Sequence, residues 1–248
     1  MESYSQFANV YDCLMSDVDY KKRTSYLLKL FKKHGKTPTL LLDLACGTGG
    51  FSNEMASRGI EVIGVDMSEE MLGVARENSA ERDLDVLYLC QKAEELDLYG
   101  TVDGAICCLD SLNHITNIKN LEKALKKVSL FLEKDCLFIF DVNTVYKHRE
   151  VLANNTFVIE QNGVFCVWQN EFDDKKLMTN ISLDFFVEEE NGSYERFSED
   201  FSERAYTDEE LCALLEKCGF LLEAVYGDLT EKEPMENCER KIFVVKKK

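Results

Sequence analysis

From residue 19 to residue 142 the chain alternates two hydrophobic patterns. Residues 19–34 set Tyr20, Leu27, Leu28, Leu30 and Phe31 among lysines, the spacing of an amphipathic helix that Gly35 ends. Residues 39–44 are then a nearly unbroken apolar run, interrupted only by Asp43, of the kind that fills a strand buried on both faces. Cys46-Gly47-Thr48-Gly49-Gly50 makes a glycine turn, and a helical stretch follows to about Arg58. Residues 61–66 predict a second strand. Ser68 predicts the N-cap of a helix running to about Ala80, with Glu69 and Glu70 in its first turn, where carboxylates suit the positive end of the helix dipole. Residues 86–90, 102–109 and 137–142 predict three more strands. Leu121, Leu125, Val128, Phe131 and Leu132 carry a helical period over 118–133. Strands alternating with helices predict an α/β fold with a doubly wound, mostly parallel sheet.

Beyond residue 150 the period changes to two. Polar and apolar positions alternate over 156–206, broken by the hairpin dipeptides Asn162-Gly163 and Asn191-Gly192 and by a third turn beginning at Asp173-Asp174. This predicts an antiparallel sheet of about four strands inserted after strand five. Thr207-Asp208-Glu209-Glu210 then opens a helix that ends near Gly219, and residues 220–226 and 241–245 supply two last strands, bringing the main sheet to seven. The expected organisation is one α/β domain built from 1–150 and 207–248, with 151–206 folded over it as a cover.

Composition narrows the chemistry. The formal net charge is −17, so the overall field repels a polyanion, and no nucleic-acid partner is expected. No stretch approaches the roughly 20 apolar residues of a membrane-spanning helix. Residues 1–6 lack the basic segment and apolar core of a signal peptide, so a cytoplasmic location is expected. Ten cysteines invite a disulfide or zinc reading, but no C-x-x-C pair occurs, and Cys107 and Cys108 lie side by side on a strand, pointing to opposite faces. With only three histidines in addition, no metal is expected, and the cysteines read as reduced core residues. Nothing in the sequence indicates an oligomeric state.

The glycine turn admits two readings. A dinucleotide site wants G-x-G-x-x-G, with pyrophosphate on the helix N-terminus. In Asp43-Leu44-Ala45-Cys46-Gly47-Thr48-Gly49 the first of those glycines falls at Ala45 and the third at Ser52, and a carboxylate closes the strand instead. A cofactor with a cationic amino-acid end and no phosphate suits that arrangement better, since glycines let the chain bend beneath a ligand. Asp66, about 20 residues on, ends the second strand where a carboxylate either accepts hydrogen bonds from both ribose hydroxyls or caps the following helix.

The runs Leu41-Leu42-Asp43-Leu44-Ala45-Cys46-Gly47-Thr48-Gly49 and Val62-Ile63-Gly64-Val65-Asp66-Met67-Ser68 resemble the first two motifs of class I S-adenosylmethionine-dependent methyltransferases. The likeness extends in outline over the whole chain. It is strongest to a small bacterial branch of unassigned substrate related to deoxysugar N-methyltransferases, through Tyr4…Phe7-Ala8…Tyr11-Asp12, Asp110-Ser111-Leu112-Asn113 and Arg204-Ala205-Tyr206. The resemblance implies S-adenosyl-L-methionine as cofactor. It implies that Ala45, Gly47 and Gly49 line the methionine and ribose, with Asp43 nearby, and that Asp66 binds the ribose. Met67 would pack on the adenine, Tyr4 and Tyr11 would fold over the cofactor, and Leu109 would lie under the methionine. Many relatives carry an Asp where Lys92 stands. Lysine accepts no hydrogen bond, so adenine recognition would fall to Gln91 or to backbone around Ala93 and Glu94.

Methyl transfer from a sulfonium is an in-line displacement that needs the acceptor held near the methyl carbon in a dry cavity. Open α/β sheets bind ligands beyond the carboxyl ends of their strands, which nominates Asp110, Asn113 and His114 after strand four and Asp141 and Asn143 after strand five. His114 is a candidate general base or a histidine packed under the inserted sheet. Asp141 either acts on the acceptor or caps the loop that follows. Trp168 and Tyr206 could wall the pocket or belong to the core. Arg204 is either a clamp for a substrate carboxylate or an ion-pair partner of a neighbour such as Glu203. The expected activity is methylation of a small molecule, with a macromolecular methyltransferase or a non-catalytic cofactor-binding protein as alternatives. An amino-group methyltransferase acting on adenine or glutamine would often show Asn/Asp-Pro-Pro-Tyr after strand four, where this chain reads Leu109-Asp110-Ser111-Leu112.

Overall fold

Two sheets carry the architecture. The computed structural model describes residues 3–248 in backbone and, apart from residues 3–6 and 9, in side chain, so the expectation for the Tyr4 side chain lies outside the described residues. In chain order the elements are α1 (Ser3–Leu14), α2 (Tyr20–His34), β1 (Leu40–Leu44), α3 (Gly50–Ala56), β2 (Glu61–Asp66), α4 (Glu69–Glu81) and β3 (Leu87–Cys90). There follow β4 (Val102–Cys107), α5 (Ile118–Phe131), β5 (Leu132–Asn143), β6 (Thr156–Gln161), β7 (Val164–Asp173), β8 (Met178–Glu188), β9 (Tyr194–Arg204), α6 (Asp208–Lys217), β10 (Phe220–Gly227) and β11 (Arg240–Lys247).

The main sheet has seven strands in the order β10-β11-β5-β4-β1-β2-β3, with β11 antiparallel to both of its neighbours and the pairs among β5, β4, β1, β2 and β3 parallel. From β1 the chain winds outward to β2 and β3, then returns to add β4 and β5 on the other side. The switch point therefore lies outside the carboxyl ends of β1 and β4, where such sheets bind ligands. Alternate residues feed two cores. Leu42, Leu44, Phe138, Phe140 and Phe243 pack with residues of α5 and α6. Leu41, Val62, Ile106 and Ile139 pack with residues of α2 and α3 on the opposite face.

Local signals set the helix ends. Asp19 accepts from the Lys22 amide at 2.9 Å to start α2, Ser68 accepts from the Met71 amide at 3.1 Å to start α4, and Thr207 with Glu210 forms a reciprocal capping box on α6.

The inserted sheet is a four-stranded antiparallel meander, β6-β7-β8-β9. Its first turn sits at Asn162 and Gly163, both with positive φ, as the hairpin dipeptide requires. Its inner face does not rest on bare sheet. Helix α1, which the hydrophobic pattern did not predict, lies beneath it, with Phe7 and Val10 packed on Cys166, Ile181, Leu183 and Phe185. Two strand boundaries also move. β4 stops at Cys107 because Leu109 and Asp110 take left-handed φ values of 56° and 54°, and β5 begins five residues before the expected 137, at Leu132.

Candidate active site

The glycine turn is built by backbone geometry that few side chains allow. Ala45, Gly47 and Gly49 all have positive φ, and a Cβ on Gly49 would lie 2.4 Å from the Tyr88 hydroxyl oxygen. Asp66 braces the turn from the neighbouring strand. Its Oδ2 accepts from the Gly47 amide at 2.9 Å and its Oδ1 from the Ser68 amide at 3.0 Å. Burial raises its pKa against the pull of those amides. Asp43 is buried beneath the turn, where Ser52 donates to it at 2.6 Å, and burial pushes its carboxyl up to about 7.

Tyr11, Tyr20, Asp43, Gly47 and Leu109 line a small hollow of about 30 Å³ at the switch point. Helix α1 closes it. Asp12 accepts from Thr48 Oγ1 at 2.6 Å and from Asn78 Nδ2 at 3.0 Å, tying α1 to the turn and to α4. Met67 stands exposed just beyond Asp66. The chemistry of a side-chain-free bend, a carboxylate ending β2, an exposed thioether and the partly buried Leu109 suits a sulfonium nucleoside.

The expected adenine contacts are arranged differently. Gln91 turns its amide onto the main chain of Asp97, donating to its oxygen at 3.1 Å and accepting from its amide at 2.8 Å, and Glu94 accepts from Asn120 at 3.2 Å. The Gln91 side chain is thereby occupied by the main chain of Asp97.

On the acceptor side, the left-handed Leu109-Asp110 turn is clamped by Asp141. The Leu109 amide donates to Asp141 Oδ2 at 2.8 Å and the Asp110 amide to Oδ1 at 2.6 Å, while Arg240 Nη1 adds a further bond. Asp141 is buried at 4% exposure with three donors on its two oxygens, and it holds the loop. Arg240 also donates to Asp110 Oδ1 at 2.6 Å and Asn143 donates to Asp110 Oδ2 at 2.8 Å. Burial alone would raise the Asp110 carboxyl, but Arg240, Lys147 and His114 hold it at about 2.

His114 and Glu203 complete this corner. His114 Nε2 lies 3.6 Å from Glu203 Oε1, its ring rests against Phe201 with centroids 5.1 Å apart, and 45% of its side chain remains accessible. Glu203 is buried, and burial, followed by the charge of Asp110, pushes it up to about 8. On its other side His148 is fully buried, which lowers its pKa to about 4; its Nε2 stands 3.6 Å from Glu203 Oε2 and its Nδ1 2.7 Å from Thr179 Oγ1.

Three expected substrate contacts belong to the scaffold instead. Asn113 is buried, donates to the carbonyls of Asn143 and Arg204, and accepts from the Asn143 amide, pinning β5 to β9. Tyr206 is packed in the core, and its hydroxyl donates to the Ile115 carbonyl. Arg204 pairs with Glu210 at 2.6 Å and lies over the Tyr206 ring, so the ion-pair reading holds, with Glu210 in place of Glu203. Asn143 stays at the corner through Asp110, with Lys147 donating to its Oδ1 at 3.0 Å. Trp168 donates to Asn170 and packs on Phe157, on the same face of the inserted sheet as Phe201 and Glu203. Sequence reasoning missed Arg240, Glu203 and His148 at the acceptor corner, and the tie that Asp12 makes to the glycine turn. Only the polar opening of β11, where Arg240 is paired in register with Asn143, hinted at the first.

A mostly parallel seven-stranded sheet with this glycine turn, and an antiparallel sheet inserted after β5, defines a Rossmann-like methyltransferase fold. Residues 41–135 match a family described as a methyltransferase domain. Over 246 residues the chain is 34% identical to YqeM of Bacillus subtilis (strain 168), provisionally named a methyltransferase, covering 98% of this chain and 97% of that protein. The crystal structure of an S-adenosylmethionine-dependent methyltransferase from Clostridium acetobutylicum ATCC 824 superposes with a TM-score of 0.89 at 33% identity, covering 98% of each chain. The chain belongs to the S-adenosylmethionine-dependent methyltransferases, and S-adenosylmethionine is its cofactor. The fold is shared with CalS10 of Micromonospora echinaspora, an amino pentose methyltransferase solved with S-adenosylmethionine bound, at a TM-score of 0.78 and 20% identity over 96% of this chain and 97% of that one.

Proposed function

We propose that the protein methylates a small molecule held between the carboxyl edge of the main sheet and the inner face of the inserted one. The observation that carries this reading is the convergence of Asp110, His114 and Glu203 from the two sheets, beside the hollow that Gly47 and Leu109 share. The cofactor supplies an electrophilic methyl group on a sulfonium. The chain's part is to place an acceptor's hydroxyl or amine on the line opposite the departing sulfur and to keep water out, which α1 and the inserted sheet do by covering the edge. His114, neutral near pH 7 and open on one side, is positioned to take a proton from the acceptor, with the ionised carboxylate of Asp110 to stabilise the charge it gains.

The net charge of −17 weighs against a polyanionic acceptor. CalS10, whose acceptor is an amino pentose, offers a precedent for a compact polar acceptor on this fold. All ten cysteines are free, which suits a reducing compartment such as the cytoplasm, and among the described residues no helix is long and apolar enough to cross a membrane. The test is release of S-adenosylhomocysteine from S-adenosylmethionine in the presence of size-fractionated metabolites. Turnover with a low-molecular-mass fraction is expected. Tight cofactor binding without turnover on any fraction would overturn the reading in favour of a cofactor sensor, and turnover only with RNA or protein would overturn the acceptor class.

A further inference from the structure

We propose that Asp110, His114 and Glu203 form a binding site for one divalent transition-metal ion, of the manganese or zinc kind, at the mouth of the acceptor pocket. One ligand atom from each of the three lies within 4.8 Å of the others. His114 Nε2 and Glu203 Oε1 stand 3.6 Å apart, beyond hydrogen-bond reach. Donors bound at about 2.0–2.2 Å to a tetrahedral ion are separated by roughly 3.4 Å, so His114 and Glu203 would close on an ion by a few tenths of an ångström, and Asp110, within 4.8 Å of both, by up to about 1.4 Å.

A second, independent observation comes from His148. Its side chain is fully buried, its Nδ1 is engaged with Thr179, and its Nε2 has no hydrogen-bond partner although it points at Glu203 Oε2 from 3.6 Å. A buried imidazole nitrogen without a partner is costly. It is explained if Glu203 is drawn to an ion on one side and steadied by His148 on the other, the usual arrangement around a ligating carboxylate. Asp110 remains available although Arg240 takes its Oδ1 and Asn143 its Oδ2, because each carboxylate oxygen keeps a second lone pair. Asp110 and Asp141 offset Arg240 and Lys147, and an ion would displace the proton that burial keeps on Glu203, so its uptake should tighten as pH rises.

The donor set selects the ion. One imidazole with two carboxylates favours a borderline transition ion over magnesium, which prefers oxygen and water. Three protein ligands leave positions open, as in catalytic rather than structural sites, and here they face the side where His114 is accessible. Paired oxygen donors of an acceptor, such as neighbouring hydroxyls, would fill them, and with His114 then a ligand it is the ion that would lower the pKa of the bound hydroxyl. That last step rests on the small-molecule reading above, whereas the ion site itself does not.

The full-length protein, stripped with chelator and dialysed, is titrated with Mn²⁺ by electron paramagnetic resonance and with Co²⁺ by visible absorption. One equivalent should bind, and His114→Ala, Glu203→Gln and Asp110→Asn should each weaken it at least tenfold. His114 is partly exposed, so that variant should fold even if the buried ones do not; S-adenosylhomocysteine calorimetry on each variant reports the integrity of the cofactor domain. Saturable binding lost in His114→Ala with cofactor affinity retained supports the site. Absence of binding below millimolar ion, unaltered binding in His114→Ala, or binding of Mg²⁺ in preference to Mn²⁺ would overturn it. Failure of the ion titration with metabolite turnover intact would leave the methyl-transfer reading standing, and the reverse result would separate the two the other way.

Discussion

Arg240→Met tests whether the acceptor corner is held by charge. Arg240 bridges Asp110 and Asp141, and all three are largely buried, with side-chain exposures of 12%, 17% and 5%. Removing one partner of a buried ion pair costs about 3–5 kcal/mol, because the remaining charge stays desolvated. Here the Leu109 and Asp110 amides still reach Asp141, and Asn143 still reaches Asp110, so the lower end, about 3 kcal/mol, is expected. At roughly 2–4 °C per kcal/mol for a chain of this size, Tm should fall by about 6–12 °C. The pH dependence carries a sign of its own. Asp110 is held at about 2 in the folded state against an ordinary 3.8, so its stabilising contribution is present above pH 4 and lost as pH falls through 2. In Arg240→Met that loss should move to higher pH. Urea unfolding from pH 3 to pH 7, with Arg240→Lys retaining part of the stability, is the assay. A variant within about 1 kcal/mol of the parent at pH 7, with an unmoved acid limb, would show that the corner is held by packing instead.

Asp66→Ala should weaken S-adenosylhomocysteine binding at least tenfold by calorimetry while circular dichroism stays native; unchanged affinity would remove Asp66 from the cofactor site. Gly49→Ala combines a φ of +79° with a Cβ 2.4 Å from the Tyr88 hydroxyl, so a loss of about 2 kcal/mol or more is expected, and Tyr88→Phe in the same chain should restore only part of it; full recovery would mean that backbone conformation contributes nothing. Asp43 titrates near 7 when folded and near 3.8 when unfolded, so the folded state binds its proton more tightly. Its contribution is greatest below pH 4 and is lost as pH rises through 7, by an amount on the order of 4 kcal/mol. Cofactor-free Asp43→Asn should therefore lose less stability than the parent between pH 5 and pH 8, and an identical decline in both would refute the assignment.

What could be read along the chain was local. The capping residues Ser68 and Thr207 act on amides three positions ahead, and each appears where the pattern put it; Asp19, not singled out in the sequence, caps α2 in the same way. Helix α1 escaped because its apolar residues answer to the inserted sheet, which begins some 150 residues later. Asn113 was nominated for the acceptor, and Asp141 was left open between the acceptor and a loop; both are bonded to backbone here. A buried carboxylate or amide at a strand end looks the same in sequence whether it serves a ligand or a backbone, and only the left-handed Leu109-Asp110 turn shows which.

The sequence by itself determined the parallel α/β alternation, the inserted meander and the glycine turn flanked by Asp43 and Asp66, because periodicity, turn chemistry and that short span are properties of neighbouring residues. The tertiary structure alone decided the acceptor corner. Arg240 meets Asp110 across 130 positions, and Glu203 arrives from a second sheet. Strand register and the placement of the insert create those encounters, and both depend on how the whole chain buries its apolar surface, which no local stretch encodes.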